Sequence, residues 1–221
     1  IGFIDDETLN YIYHDGANWT TQYVADQAAN GTIDTFLDSS GTLHFGYYNT
    51  TSEVVYGTYD GTWTSNIGEN TNALFAIGAF ESMAMDSSNN PHFCYYNDNE
   101  DRFTYAYFDG SWHVEKVDNL DMGFISSITL DSEGIPHISY LDSNGKALKY
   151  ARRDTNGHWN TSTVDQTGFS GWFSSIAVDS WGDTHISYCD GENMLLKYAY
   201  HNNGKWHIYT IDTIGVPGVT A

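Results

Sequence analysis

Along most of the chain, apolar and polar positions alternate with a period of two. Ile176 and Val178, His185 and Ser187, and Tyr198 and Tyr200 lie in short runs of alternating or continuous apolar residues, as strands require. Turn chemistry breaks these runs: Asp-Gly at 15–16, 60–61 and 109–110, Asn-Gly at 144–145 and 156–157, and Asn-Asn-Gly at 202–204. Such dipeptides supply the positive φ that tight hairpins need. Around residues 174–212 the pattern predicts four strands, "SSIAVD", "THISY", "LLKYAY" and "KWHIYTID", and nowhere along the chain does it predict a helix.

The same four-strand phrase recurs. "DSSGTLHFGYYN", "DSSNNPHFCYYN", "DSEGIPHISYLD" and "DSWGDTHISYCD" open at Asp38, Asp86, Asp131 and Asp179, at spacings of 48, 45 and 48 residues. Six residues after each Asp stands a His: His44, His92, His137 and His185. A Tyr follows (Tyr56, Tyr105, Tyr150, Tyr198), then a Trp (Trp63, Trp112, Trp159, Trp206), and three units end in Asp118, Asp165 and Asp212. The N-terminus enters part-way through the phrase, aligning Asp5 with Asp142, Tyr11 with Tyr150 and Trp19 with Trp159. Five units result, at approximately 1–31, 32–74, 75–123, 124–168 and 169–221.

Four antiparallel strands repeated every 40–50 residues or so are the pattern of a propeller blade. The predicted fold is all-β: one domain over 1–221, a five-bladed β-propeller of four-stranded antiparallel blades. The innermost strand of one blade is missing, because residue 1 aligns with Ile138, just after a repeat His, and Ala221 with Ser174, just before an innermost strand. Three explanations of the gap stay open: a chain truncated from the natural protein or forming one portion of a larger propeller, a strand donated by a neighbouring chain, or a ring that tolerates a three-stranded blade. The start at Ile1, with neither Met nor a leader, fits a processed chain or a fragment. Over essentially its whole length the sequence resembles Asp-box, sialidase-like and lectin-type propellers, through the turn "DSWGDTH" and its equivalents. Compared with the Asp-box pattern, that turn has one residue more between Asp179 and Gly182, and His185 stands in place of Trp.

Composition narrows the partners. The net charge is −21, with 29 acidic and eight basic residues, which makes nucleic acid an unfavourable ligand. Residues 1–101 carry 15 acidic side chains and no Lys or Arg. No apolar run is long enough for a membrane span. Cys94 and Cys189 fall in non-adjacent units, so two buried free thiols are expected rather than a disulfide. Asn18, Asn30, Asn49 and Asn160 head sequons and are glycosylation candidates, although chance alone gives roughly three such motifs in a chain of this composition.

Residues that repeat in every blade read as scaffold, so the repeat His, Tyr and Trp are expected to hold turns and pack between blades. Departures from the repeat are the better candidates for function. Asp34 stands where other units have Ser82, Ser127 and Ser175, and Glu81 where they have Ile33, Ser126 and Ser174. Both are expected to face the central channel, where two carboxylates could bind a cation or a ligand, or act as acid and base. The uneven connecting loops add Phe124 and Trp172 as ligand-binding candidates. Sialidase chemistry, which needs three converging arginines, fits poorly: Arg152 and Arg153 are consecutive on one strand and so point to opposite faces. No nucleophile elbow, phosphate loop or metal cluster is present. The acidic loops at 97–102 and 142–146 suggest calcium only weakly, and no other cofactor is implied.

Together these features favour a non-catalytic extracellular or cell-surface module for binding or adhesion, and the resemblance to lectin propellers implies a glycan ligand. Two alternatives stay open. One is a structural subunit of a surface layer or filament, self-associating by strand donation into the incomplete blade. The other is a glycoside hydrolase working through Asp34 and Glu81.

Overall fold

The structure is a computed structural model describing residues 2–14, 16–26, 28–70, 80–97, 99–119 and 125–213. All of its regular structure among these residues is strand, in five antiparallel sheets. The first sheet has three strands, β1 (Gly2–Asp5), β2 (Thr8–His14) and β3 (Trp19–Asp26). The second has β4 (Ala28–Leu37), β5 (Leu43–Asn49), β6 (Glu53–Tyr59) and β7 (Trp63–Asn70). The third has β8 (Phe80–Met85), β9 (Pro91–Asn97), β10 (Arg102–Phe108) and β11 (Trp112–Asp118). The fourth has β12 (Ser126–Leu130), β13 (Pro136–Asp142), β14 (Ala147–Arg153) and β15 (Trp159–Asp165). The fifth has β16 (Ser170–Val178), β17 (Thr184–Asp190), β18 (Leu195–Asn202) and β19 (Lys205–Thr213). In every sheet the strands pair in chain order, as in a meandering blade, and the first sheet is the incomplete one.

The repeated phrase builds the first hairpin of each complete sheet. Asp38 Oδ1 accepts the backbone N–H groups of Ser40 and Thr42 at 2.9 and 2.8 Å, and Asp179 does the same for Trp181 and Asp183. The chain then reverses through a residue at positive φ. Gly41, Gly134 and Gly182 fill that position in three turns, and Asn89 accepts it in the fourth. The repeat His locks the turn to the third strand. In the second sheet its Nε2 lies 3.4 Å from Asp38 Oδ2 and its Nδ1 is 2.8 Å from the Tyr56 hydroxyl. In the fifth sheet the corresponding distances are 3.2 and 2.6 Å. The expected scaffold role of these histidines is thus carried by named hydrogen bonds.

The chain forms two compact units, Ile1–Lys116 and Val117–Ala221. In the first, sheets pack face to face through two apolar clusters, one around Leu9, Phe45 and Tyr47 and one around Tyr56, Phe93 and Tyr95. In the second, Leu148, Tyr150, Ile176, Ile186 and Tyr188 fill the space between the fourth and fifth sheets. Fully burying an aliphatic or Phe side chain of this kind contributes about 1.5–3 kcal/mol. The second unit also carries buried charge. Lys197 Nζ donates to Asp165 Oδ2 at 2.6 Å and to Thr167 Oγ1 at 2.7 Å, and the Tyr188 hydroxyl donates to the same carboxylate at 2.7 Å. Lys149, Asp118 and Tyr140 repeat this arrangement. One expectation needs correction: Cys94 is buried, but Cys189 is only half-buried, because its strand face is less completely covered.

Candidate functional site

Between the fourth and fifth sheets, within the second unit, opens a cleft of about 590 Å³. One wall is the Asp131 turn with His137, Tyr150 and Arg152; the other is the Asp179 turn with Trp181 and Thr184, and His201. Asn160, Thr161 and Ser162 of β15 complete a lining rich in hydroxyl and amide groups.

Arg152 enters because β14 places it directly across from His137 on β13. Its Nε donates towards His137 Nε2 at 3.3 Å, and its Nη2 lies 3.6 Å from Asp131 Oδ2. The guanidinium remains 44% exposed, so it can still meet a ligand. Burial lowers the His137 pKa, and the Arg152 charge lowers it further against the pull of Asp131, so this imidazole is neutral near pH 7. Burial pushes the Asp131 carboxyl upward, but the N–H groups of Ile135 and Glu133 and the His137 contact outweigh it, and the net shift is downward. Asp131 is therefore an ionised turn-holding group. Its shift runs opposite to that of a general acid, whose pKa is raised.

Trp181 is the conspicuous feature of the opposite wall. Its backbone N–H is fixed to Asp179 Oδ1 at 2.9 Å, yet its side chain is 87% exposed. A lining that contains an exposed indole, an arginine and several hydroxyl and amide side chains offers an apolar face together with hydrogen-bonding groups. That combination suits a ligand with both C–H faces and hydroxyls.

The candidates read from sequence do not converge on this cleft. The Asp34 carboxylate accepts the Met83 backbone N–H at 2.8 Å, tying the second sheet to the third. Ser127 Oγ accepts the Ile176 N–H at 3.3 Å in the same way in the second unit. The Glu81 side chain and all of Phe124 lie outside the described residues. Trp172 packs against Gly191, where an added Cβ would sit 3.1 Å from the indole, and it meets Phe169 and Phe173 rather than the cleft. Among the sequons, Asn160 lies on the cleft wall, Asn18 is exposed, and the Asn49 amide is engaged by Thr51 and Glu53. The Asn30 side chain lies outside the described residues.

The residues that shape the cleft had a signal in the sequence. The position across from the repeat His holds Thr58, Tyr107 and Tyr200 in the other complete sheets and Arg152 here. The residue two after the turn Asp is Ser40, Ser88 and Glu133 elsewhere and Trp181 here.

No protein-family model matches the sequence, and no curated protein sequence matches it. Solved structures do resemble it. The SapL1 lectin in complex with α-methyl fucoside matches with a TM-score of 0.61 at 12% identity, over 83% of this chain and 63% of that one. The fucose-specific lectin from Aleuria aurantia matches with a TM-score of 0.65 at 14% identity, over 97% of this chain and 73% of that one. The NanB sialidase from Streptococcus pneumoniae matches with a TM-score of 0.52 at 14% identity, over 91% of this chain and 34% of that one. The chain thus spans somewhat less than two thirds of the SapL1 lectin's length. At these identities the likeness is one of fold, and the fold is that of an all-β, five-bladed propeller with one incomplete blade.

Proposed function

We propose that the chain is a non-catalytic carbohydrate-binding module, acting outside the cell or at its surface, with the Arg152–Trp181 cleft as its glycan site. The observation that carries this reading is a hydroxyl-rich cleft whose lining includes the 87% exposed indole of Trp181 and a half-exposed guanidinium. A sugar ring presents C–H groups on one face, which stack on an aromatic surface, while its hydroxyls bond to Arg, Asn, Ser and Thr groups. The lectins whose fold the chain shares, one of them bound to a methyl fucoside, support a neutral monosaccharide as the first ligand to try. Asp131, Glu133 and Asp179 around the cleft favour a neutral over an anionic sugar, because like charges repel in a confined site.

The test is calorimetric titration of α-methyl fucoside and a panel of other neutral monosaccharides against the native chain and Trp181→Ala. Saturable binding that the substitution removes supports the reading. Absence of binding across the panel, or binding indifferent to Trp181, overturns it.

A second reading has its own observation, the three-stranded first sheet. A strand donated by another copy would complete that sheet and assemble chains into oligomers. Light scattering across a wide concentration range tests this: concentration-dependent growth supports it, and a constant monomer mass refutes it.

A further inference from the structure

A second cleft, of about 230 Å³, opens between the first and second sheets, wholly within the first unit. Tyr47 and Val55 form its floor, Tyr23 and Trp63 its sides, and Asp26 stands on its rim. The second unit shows what belongs in such a place. Across from Tyr140 on β13 stands Lys149, and across from Tyr188 on β17 stands Lys197; in the first unit Val55 stands across from Tyr47 on β5 and Thr104 across from Tyr95 on β9. The two lysine ammonium groups lie 5.8 and 5.9 Å from the centroids of the Tyr140 and Tyr188 rings, and each is neutralised by an Asp six residues after a repeat Trp, Asp118 or Asp165. Six residues after Trp19 the chain has Ala25 instead, and the carboxylate comes one residue later, at Asp26.

The first unit has therefore kept the tyrosine and lost the internal ammonium. The space is not refilled by a larger apolar side chain; it remains as the cleft. Tyr47 is 3% exposed and lies 6.4 Å from the Trp63 ring, while Tyr23 is half-exposed, and burial together with the neighbouring Asp26 carboxylate raises its pKa. The Trp63 indole is held firmly, because it packs on Gly57 so closely that an added Cβ would meet it at 1.9 Å. Three aromatic rings and a carboxylate around a small cavity form an environment for a cation, since ring faces carry negative potential and the carboxylate adds its full charge. The cavity lies below the 300–1,000 Å³ or so typical of drug-sized ligands. Residues 1–101 contain no Lys or Arg, so no cation from that stretch can occupy it.

We propose that this cleft binds a small organic ammonium ion, a primary or methylated alkylamine, in the place that an internal lysine takes in the second unit. The site is independent of the sugar cleft. A free quaternary amine and the side chain of a partner's lysine share this chemistry, and the probes below separate them.

The experiment titrates choline, n-butylammonium and the neutral choline isostere 3,3-dimethylbutan-1-ol into the native chain, observed by chemical-shift changes of the Trp63 indole N–H. Both cations are expected to bind saturably, and the neutral isostere about tenfold more weakly or not at all. Stronger binding of n-butylammonium identifies lysine-like ligands, and stronger binding of choline identifies quaternary amines. Val55→Lys together with Ala25→Asp rebuilds over Tyr47 the lysine–carboxylate pair of the second unit and is expected to abolish binding. Asp26→Asn, at an exposed position, is expected to weaken it about tenfold without altering the fold. Equal binding of the neutral isostere, no binding of either cation, or cation binding that survives in both variants overturns the proposal.

Discussion

Replacing Lys197 with Met is the sharpest test of how the second unit is held together. The ammonium is 7% exposed and the Asp165 carboxylate 2% exposed, at 2.6 Å from each other. Met preserves most of the volume, so the main effect is to strand the buried Asp165 carboxylate and to remove the ammonium 3.8 Å from a second, Asp190, which keeps its Asn193 and Phe169 donors. Breaking one side of a buried pair costs about 3–5 kcal/mol. Asp165 would keep the Tyr188 hydroxyl, the Thr167 N–H and hydroxyl, and the Ser170 hydroxyl as donors, which places the cost near the lower end, at about 3 kcal/mol. In a chain of this size each kcal/mol lowers Tm by about 2–4 °C, so a fall of about 6–12 °C is expected in a calorimetric melt. The double substitution Asp165→Ala with Lys197→Met should recover much of that loss, because the stranded charge goes with its partner. The first unit already carries this solution, with Ala25 and Val55 at the equivalent positions. A single-mutant fall below about 1 kcal/mol, or a double mutant worse than the sum of the singles, would refute the reasoning.

Acidification should act on the same group. Burial pushes the Asp165 pKa up, but Lys197, Tyr188 and Thr167 together bring it down to about 2. Because the folded value lies below the unfolded one of about 3.9, the stabilisation is complete above pH 4 or so and fades as the pH falls towards 2; a melt series that stays flat over this range would contradict it. His137 acts higher on the scale. Its lowered pKa means that stability present above about pH 6.5 declines as the pH falls below that value, and an unfolded-like proton uptake at His137 in a titration by NMR would argue against its burial. Arg152→Ala should lower sugar affinity while leaving Tm within about 1 °C, since the side chain is half exposed, and binding should show one site per chain in calorimetry. Gly57→Ala should destabilise by about 1–3 kcal/mol, because the new methyl would overlap the Trp63 ring at 1.9 Å; an unchanged melt would show that the indole is free to move.

The fold was legible because each repeat writes its own local chemistry. The Asp of the turn, the His six residues on and the Tyr of the third strand are joined by hydrogen bonds within one sheet. A pattern whose partners lie within about 20 residues can be read from spacing alone. The three-stranded first sheet followed from the same alignment. The clefts were not legible in this way, because they form between neighbouring sheets, from side chains such as Arg152 and Trp181 or Tyr23 and Tyr47 that share no strand pairing. Arg152 and Trp181 come together only after β14 and the β16–β17 turn are packed side by side. Asp34 shows the converse. It departs from the repeat at a position suited to function, yet its carboxylate takes a backbone N–H of the next sheet, a bond that only the packed structure displays.

Repetition sharpens inference when position is treated as a control. The site across from the second-strand tyrosine holds Lys149 and Lys197 in one unit and Val55 and Thr104 in the other, and at Val55 the acid six residues after the preceding repeat Trp is lost as well, Ala25 standing there. Losing both partners is physically cheap, since removing either alone would leave a buried charge. Cheapness explains why the pair can disappear, but an efficient apolar replacement would also have closed the space. The cleft over Tyr47 is open, and Asp26 has appeared beside it. The same comparison applies to the cleft at Trp181, where a turn position held by Ser or Glu in three sheets carries an indole projecting into water in the fourth. An exposed Trp gains little for folding by burial, and the sugar titration of Trp181→Ala decides whether the indole meets a ligand. In both places the repeated His and Tyr are retained while two or more neighbouring positions differ, Val55 and Ala25 in one and Arg152 and Trp181 in the other, and there the ligand experiments have most to decide.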